Sequence, residues 1–162
     1  MKRMGTRVAM QDRALIPSWD QSHVVDWAKV LATFPLFAGV SRRRLRKLAR
    51  QATFVEFAPG DIVMSNPERA DWLHVILGGS AKVLGKPAAR SLRSGDYYGE
   101  LALLENAPRS ATVVATDELH VIRLPRHAFL RLARDHSAVS LTMLSNLSTQ
   151  FRRLEAQTAL AH

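Results

Sequence analysis

The chain has 162 residues, 47% of them hydrophobic and 23% charged, the size and balance of one globular domain with a full core. It has no cysteine, which excludes disulfides and thiolate metal sites and fits a reducing, cytoplasmic setting; no apolar run approaches the roughly eighteen residues of a membrane helix, and no apolar segment follows the basic start as in a secretory signal. A formal net charge of +9 keeps acidic proteins, nucleic acid and anionic membrane surfaces among the candidate partners.

Residues 1–23 carry scattered charges, Pro17 and no sustained period, and read as a mobile leader. Val24, Trp27, Ala28, Leu31 and Phe34 then recur at helical spacing up to Pro35. After the short apolar turn at Leu36, Phe37, Ala38 and Gly39, Ser41 is a natural cap for a second helix. In that helix Leu45, Leu48, Ala49 and Ala52 form an apolar stripe, and Arg42, Arg43, Arg44, Arg46, Lys47 and Arg50 crowd the remainder. The basic run 42–50 has two readings: a solvated face, or a docking surface for an acidic partner, a phosphate backbone or lipid headgroups.

Beyond Ala52 the period drops toward two. Short strands are expected at 54–57, 62–64, 72–77, 81–84, 89–92, 110–115 and 120–124, separated by Gly, Pro, Asn and Asp. After the fifth of these, and running into the sixth, lies the most informative stretch, Tyr98-Gly99-Glu100-Leu101-Ala102-Leu103-Leu104-Glu105-Asn106-Ala107-Pro108-Arg109-Ser110-Ala111-Thr112. Gly99 permits a tight turn or a close ligand approach, and 100–104 suits a short helix whose first amides attract an anion. Arg109 offers a planar fork for phosphate oxygens. A carboxylate does not face a phosphate usefully, so Glu100 reads as an acceptor for a sugar hydroxyl, and Ser110 adds a hydroxyl beside the arginine.

Pro125 suits a first helical position, with Phe129, Leu130, Leu132 and Ala133 marking one helix and a second beginning near Val139, joined by a hinge between 134 and 140. On the last helix Leu144, Leu147, Phe151 and Leu154 alternate three- and four-residue steps. That seam fits packing onto the same domain, a two-fold contact making a homodimer, or a lid over a ligand.

The ordered motifs resemble the cyclic nucleotide-binding domain family, whose cassette runs Phe-Gly-Glu-x-Ala-Leu, a short loop, then Pro-Arg-Ser/Thr/Ala-Ala-Thr. Ala58-Pro59-Gly60-Asp61-Ile62 is similar to its early turn, 72–79 to its central strand and Ser94-Gly95-Asp96 to the turn before the cassette. A departure occurs at Asn66-Pro67-Glu68-Arg69, where the family often has Gly-Glu. The resemblance spans about 24–154, leaving 155–162 as a tail. It implies a mainly β fold with flanking helices: an eight-stranded antiparallel roll of jelly-roll type with an N-terminal helical pair, a cassette helix and C-terminal helices.

By the same resemblance the ligand is cyclic AMP, or less readily cyclic GMP, with no other cofactor. Glu100 meets the ribose hydroxyl, Arg109 the phosphate, and Gly99, Leu101 and Ala102 provide amides or close approach, with Ser110 alongside. Many bacterial relatives continue into a helix-turn-helix, whereas few residues follow Leu154 here, so DNA reading is disfavoured and the expected output is an unidentified protein partner or a dimer mate. The alternative is a basic interaction module working through 42–50 with a vestigial nucleotide pocket. Catalysis is not expected: His23, His74, His120, His127, His136 and His162 lack metal-ligand spacing, and no nucleophile triad or carboxylate pair is evident.

Overall fold

In the computed structural model the described residues are 26–65, 71–85, 90–100, 104 and 111–161. α1 (Trp27–Ala32) starts at Asp26, whose side chain accepts a hydrogen bond from the Lys29 amide. It is shorter than the 24–34 periodicity suggests, because Phe34 leaves the helix and leads a 3-10 turn at Pro35–Phe37. α2 (Arg42–Ala49) is capped as expected, the Ser41 hydroxyl accepting from the Arg44 amide at 3.4 Å.

Eight strands follow: β1 (Thr53–Phe57), β2 (Ile62–Met64), β3 (Trp72–Gly78), β4 (Ser80–Leu84), β5 (Arg90–Arg93), β6 (Tyr97–Tyr98), β7 (Thr112–Ala115) and β8 (Leu119–Pro125). They form two antiparallel four-stranded sheets, ordered β1-β8-β3-β6 and β2-β7-β4-β5. The roll is thus two facing sheets, with no strand pairing among the described residues that closes them into a barrel. Pro125 ends β8 and caps α3 (Arg126–Asp135) instead of opening it, which suits a residue with fixed φ and no amide to give. α4 (Ser137–Leu160) follows a break at His136, whose φ of −134° and ψ of 96° are extended. The break falls inside the expected hinge, and the Ser140 hydroxyl spans it by donating to the Ala133 carbonyl at 2.6 Å.

Side-chain alternation on the central strands creates two cores. Leu73 and Val75 of β3, with Ile122 and Leu124 of β8, pack outward against α1, α2, α3, the 3-10 turn and the start of α4. Ile76, Leu119 and Val121 pack inward with Val55, Phe57, Val63, Met64, Ala81, Leu92, Tyr98, Val113 and Ala115. One sheet is therefore buried on both faces, so β3 and β8 read as nearly continuous apolar runs.

Two turns at the sheet ends share one construction. Asp61 accepts from the Ala58 amide and Asp96 from the Arg93 amide, each at 2.9 Å, an aspartate closing its own turn from three residues downstream. Between β3 and β4, Gly79 has φ +82°, and a Cβ there would run into the Glu118 carbonyl oxygen. Only glycine fits this crossing without strain.

The last helix corrects one expectation. Val139 and Met143 are buried, but Leu144 and Phe151 are each 62% exposed and Leu154 is 41% exposed. Leu147 is half-buried, so the seam is partly covered at that turn and open to solvent at Leu144, Phe151 and Leu154. The helix is fastened up to about Leu147, and 151–160 are exposed.

Candidate functional site

The strand β6 leads directly into the expected binding stretch. Gly99 has φ +91°, a left-handed conformation that reverses the chain between β6 and a helical Glu100. Glu100 is only 4% exposed. A carboxylate this deeply withdrawn from water is costly unless satisfied by partners, and it is engaged by another group here. Glu100 and Leu104 are both helical, and 101–103, the middle of the short helix expected at 100–104, lie outside the described residues. Leu101, Ala102, Arg109 and Ser110 lie outside the described residues, as do the connections at 66–70 and 86–89.

The interior face of the roll carries a polar row that sequence reasoning missed. In register across three strands stand Arg123 of β8, His74 of β3 and Tyr98 of β6. Arg123 donates from Nε to His74 Nε2 at 3.1 Å, which fixes the imidazole as a neutral acceptor with its proton on Nδ1. The His74 and Tyr98 rings stack with centroids 4.7 Å apart and planes 9° from parallel. The Arg123 guanidinium also lies over the Phe57 ring, 5.8 Å from its centroid. The available signal was a polar residue breaking an apolar strand: His74 within Leu73, Val75 and Ile76, and Arg123 between Ile122 and Leu124.

Tyr97, on the opposite face of β6, links this region to the last helix. Its hydroxyl accepts from Asn146 Nδ2 of α4 at 2.8 Å. Burial pushes the phenol above its usual pKa, and the Glu100 carboxylate nearby pushes the same way; the Asn146 hydrogen bond and Arg90 oppose them. Tyr97 thus feels the Glu100 carboxylate and is tied by its hydroxyl to Asn146 of α4.

A buried acid thus follows a left-handed glycine, and a polar row lines the inside of the two-sheet roll. The cyclic nucleotide-binding domain family matches residues 54–136, half of the chain. The chain belongs to the cyclic nucleotide-binding domain family. Among similar curated sequences is a cAMP-dependent protein kinase regulatory subunit of Mycosarcoma maydis, 38% identical over 116 residues, covering 65% of this chain and 22% of that protein. The curated relatives are regulatory subunits, and the chain spans about a quarter of their length.

Two solved structures frame the ligand question. The regulatory subunit of a cAMP-independent protein kinase A from Trypanosoma brucei superposes with a TM-score of 0.69 at 28% identity, over 83% of this chain and 50% of that one. The regulatory domain of Toxoplasma gondii protein kinase A, co-crystallised with cAMP, gives 0.65 at 26% identity, over 76% and 49%. Similar folds of this family thus include a cAMP complex and a protein named as cAMP-independent. No helix among the described residues is long and apolar enough to cross a membrane.

Proposed function

We propose that this cyclic nucleotide-binding domain is a non-catalytic sensor that prefers cAMP to cGMP and reports occupancy through its last helix to a protein partner or a second copy in the cytoplasm. The observation that carries the reading is the buried Glu100 carboxylate directly behind the left-handed turn at Gly99. In this reading Glu100 accepts the ribose hydroxyl. Arg109 clasps the phosphate, Gly99, Leu101 and Ala102 present backbone to it, and Ser110 adds a hydroxyl. A desolvated phosphate needs such a planar two-point partner in place of the water it loses.

The inner row of Arg123, His74 and Tyr98 supports the same pocket by giving the roll polar, stacking-competent walls. The Tyr97 to Asn146 bond supports the output, because a ligand held at Glu100 acts on the strand that tethers α4. Ligand moves that helix only to the extent that it binds one helix position more tightly than another.

Calorimetric titration with cAMP and with cGMP tests the proposal. For about twenty ligand heavy atoms at about 0.3 kcal/mol each, the expected affinity is in the micromolar range, tighter for cAMP. Arg109→Ala is expected to cost about 2–5 kcal/mol of binding, and Arg109→Lys keeps the charge but loses the fork. Absence of heat with either nucleotide at millimolar concentration overturns the sensor reading.

A further inference from the structure

Four cations from two helices converge on a cleft outside the roll. α2 supplies Arg43, Arg44 and Lys47, α3 supplies Arg131, and together they surround a cavity of about 480 Å³ whose acidic lining residue is Asp135. All five are solvent-exposed, and among the described residues none of the four cations is held in an ion pair. The floor is apolar, made by Leu48, Ala128 and Leu132. Gln51 and His127 join the two walls by a 2.9 Å hydrogen bond, so the cleft is a fixed feature of the helix pair.

The local electrostatics are unfavourable without an occupant. Arg42, Arg43 and Arg44 fill the first turn of α2, the positive end of the helix dipole, and no acidic residue stands in that turn to offset them. Helix stability alone favours the reverse placement, so the charge serves something other than the helix. Residues 1–23 do not complement the cleft by charge, since Lys2, Arg3, Arg7 and Arg13 outnumber Asp12 and Asp20. An occupant from another molecule must bring carboxylates for the rim and apolar side chains for the floor. A nucleic acid backbone brings no apolar group to Leu48 and Leu132, and Asp135 disfavours a dense row of phosphates.

We infer that the cleft between α2 and α3 docks an acidic peptide segment of a partner protein, one alternating Glu or Asp with apolar residues. The surface is separate from the nucleotide site and does not depend on it. The probe is a fluorescein-labelled dodecapeptide of Glu-Leu-Glu repeats, titrated with the full chain and read by anisotropy at low and moderate salt.

Saturable binding is expected at low salt, weakening as salt rises and falling at least about tenfold in Arg44→Glu and in Arg131→Glu, one variant from each helix. A Glu-Ser-Glu peptide of equal charge is expected to bind at least about threefold more weakly, because the floor is apolar. The urea midpoint of each variant verifies its fold, and both positions face solvent. No peptide binding at low salt, unchanged binding in both variants, equal binding of the serine peptide, or tighter binding of a short DNA duplex or of phosphatidylserine vesicles overturns the inference.

Discussion

Tyr97 has two obligations at once, and its ionisation records both. Burial and the nearby Glu100 carboxylate favour the neutral phenol in the folded chain, while the unfolded phenol ionises near its usual value of about 10. The raised group therefore contributes stability that is intact below about pH 10 and declines as pH climbs from there through the folded value. Tyr97→Phe should flatten that part of the alkaline decline in urea midpoints measured between about pH 8 and 11. An unchanged decline would mean that other groups govern it. A second residue-scale test concerns Gly79: with φ +82° and the Glu118 carbonyl in the path of any Cβ, Gly79→Ala is expected to destabilise by at least about 1–3 kcal/mol in urea denaturation. A variant within about 0.5 kcal/mol of the parent would show that the β3–β4 turn relaxes.

At the level of elements, α4 separates what spacing reveals from what it conceals. The three- and four-residue steps of Leu144, Leu147, Phe151 and Leu154 told which side chains share a face, but not what that face meets: Leu147 is half-buried and the other three meet solvent. Phe151→Ala should accordingly shift the urea midpoint of dilute protein by under about 0.5 kcal/mol, whereas Met143→Ala, 3% exposed against the 3-10 turn, should cost about 2–5 kcal/mol. Comparable losses would place the distal turns against something in solution. Legibility elsewhere followed the same rule. Ser41, the Asp61 and Asp96 turns and the seven longer strands were readable because caps, turns and alternation are local. β6 was not, since two tyrosines have no period and become a strand only by pairing with His74 and Val75 some twenty residues earlier. The polar row was missed for a related reason: Arg123 and His74 lie far apart in sequence, and only the β3 to β8 register joins them. The cassette glycine and acid were recognisable because their chemistry is contiguous, and both the left-handed turn and the burial are present.

For the molecule as a whole, the decisive feature is that β3 and β8 belong to both cores. Leu73 and Ile122 hold the helices while Ile76 and Val121 line the roll, so neither layer can lose its packing without stripping one face of the same two strands. Folding should therefore be cooperative across helices and roll, although the helices flank the sheets at both ends of the chain. Helix loss followed by far-ultraviolet circular dichroism and tyrosine exposure followed by near-ultraviolet absorbance are expected to share one thermal midpoint. A ligand that binds only the folded roll then stabilises everything: at cAMP about a hundredfold above its dissociation constant the linkage is about 2.7 kcal/mol, or about 5–10 °C for a chain of this size. Arg109→Ala should keep the single transition and lose most of that shift. Two separated midpoints, with cAMP raising only the roll's, would show that the helical layer folds as its own unit and that occupancy of the roll cannot be conveyed to α4 through the shared strands.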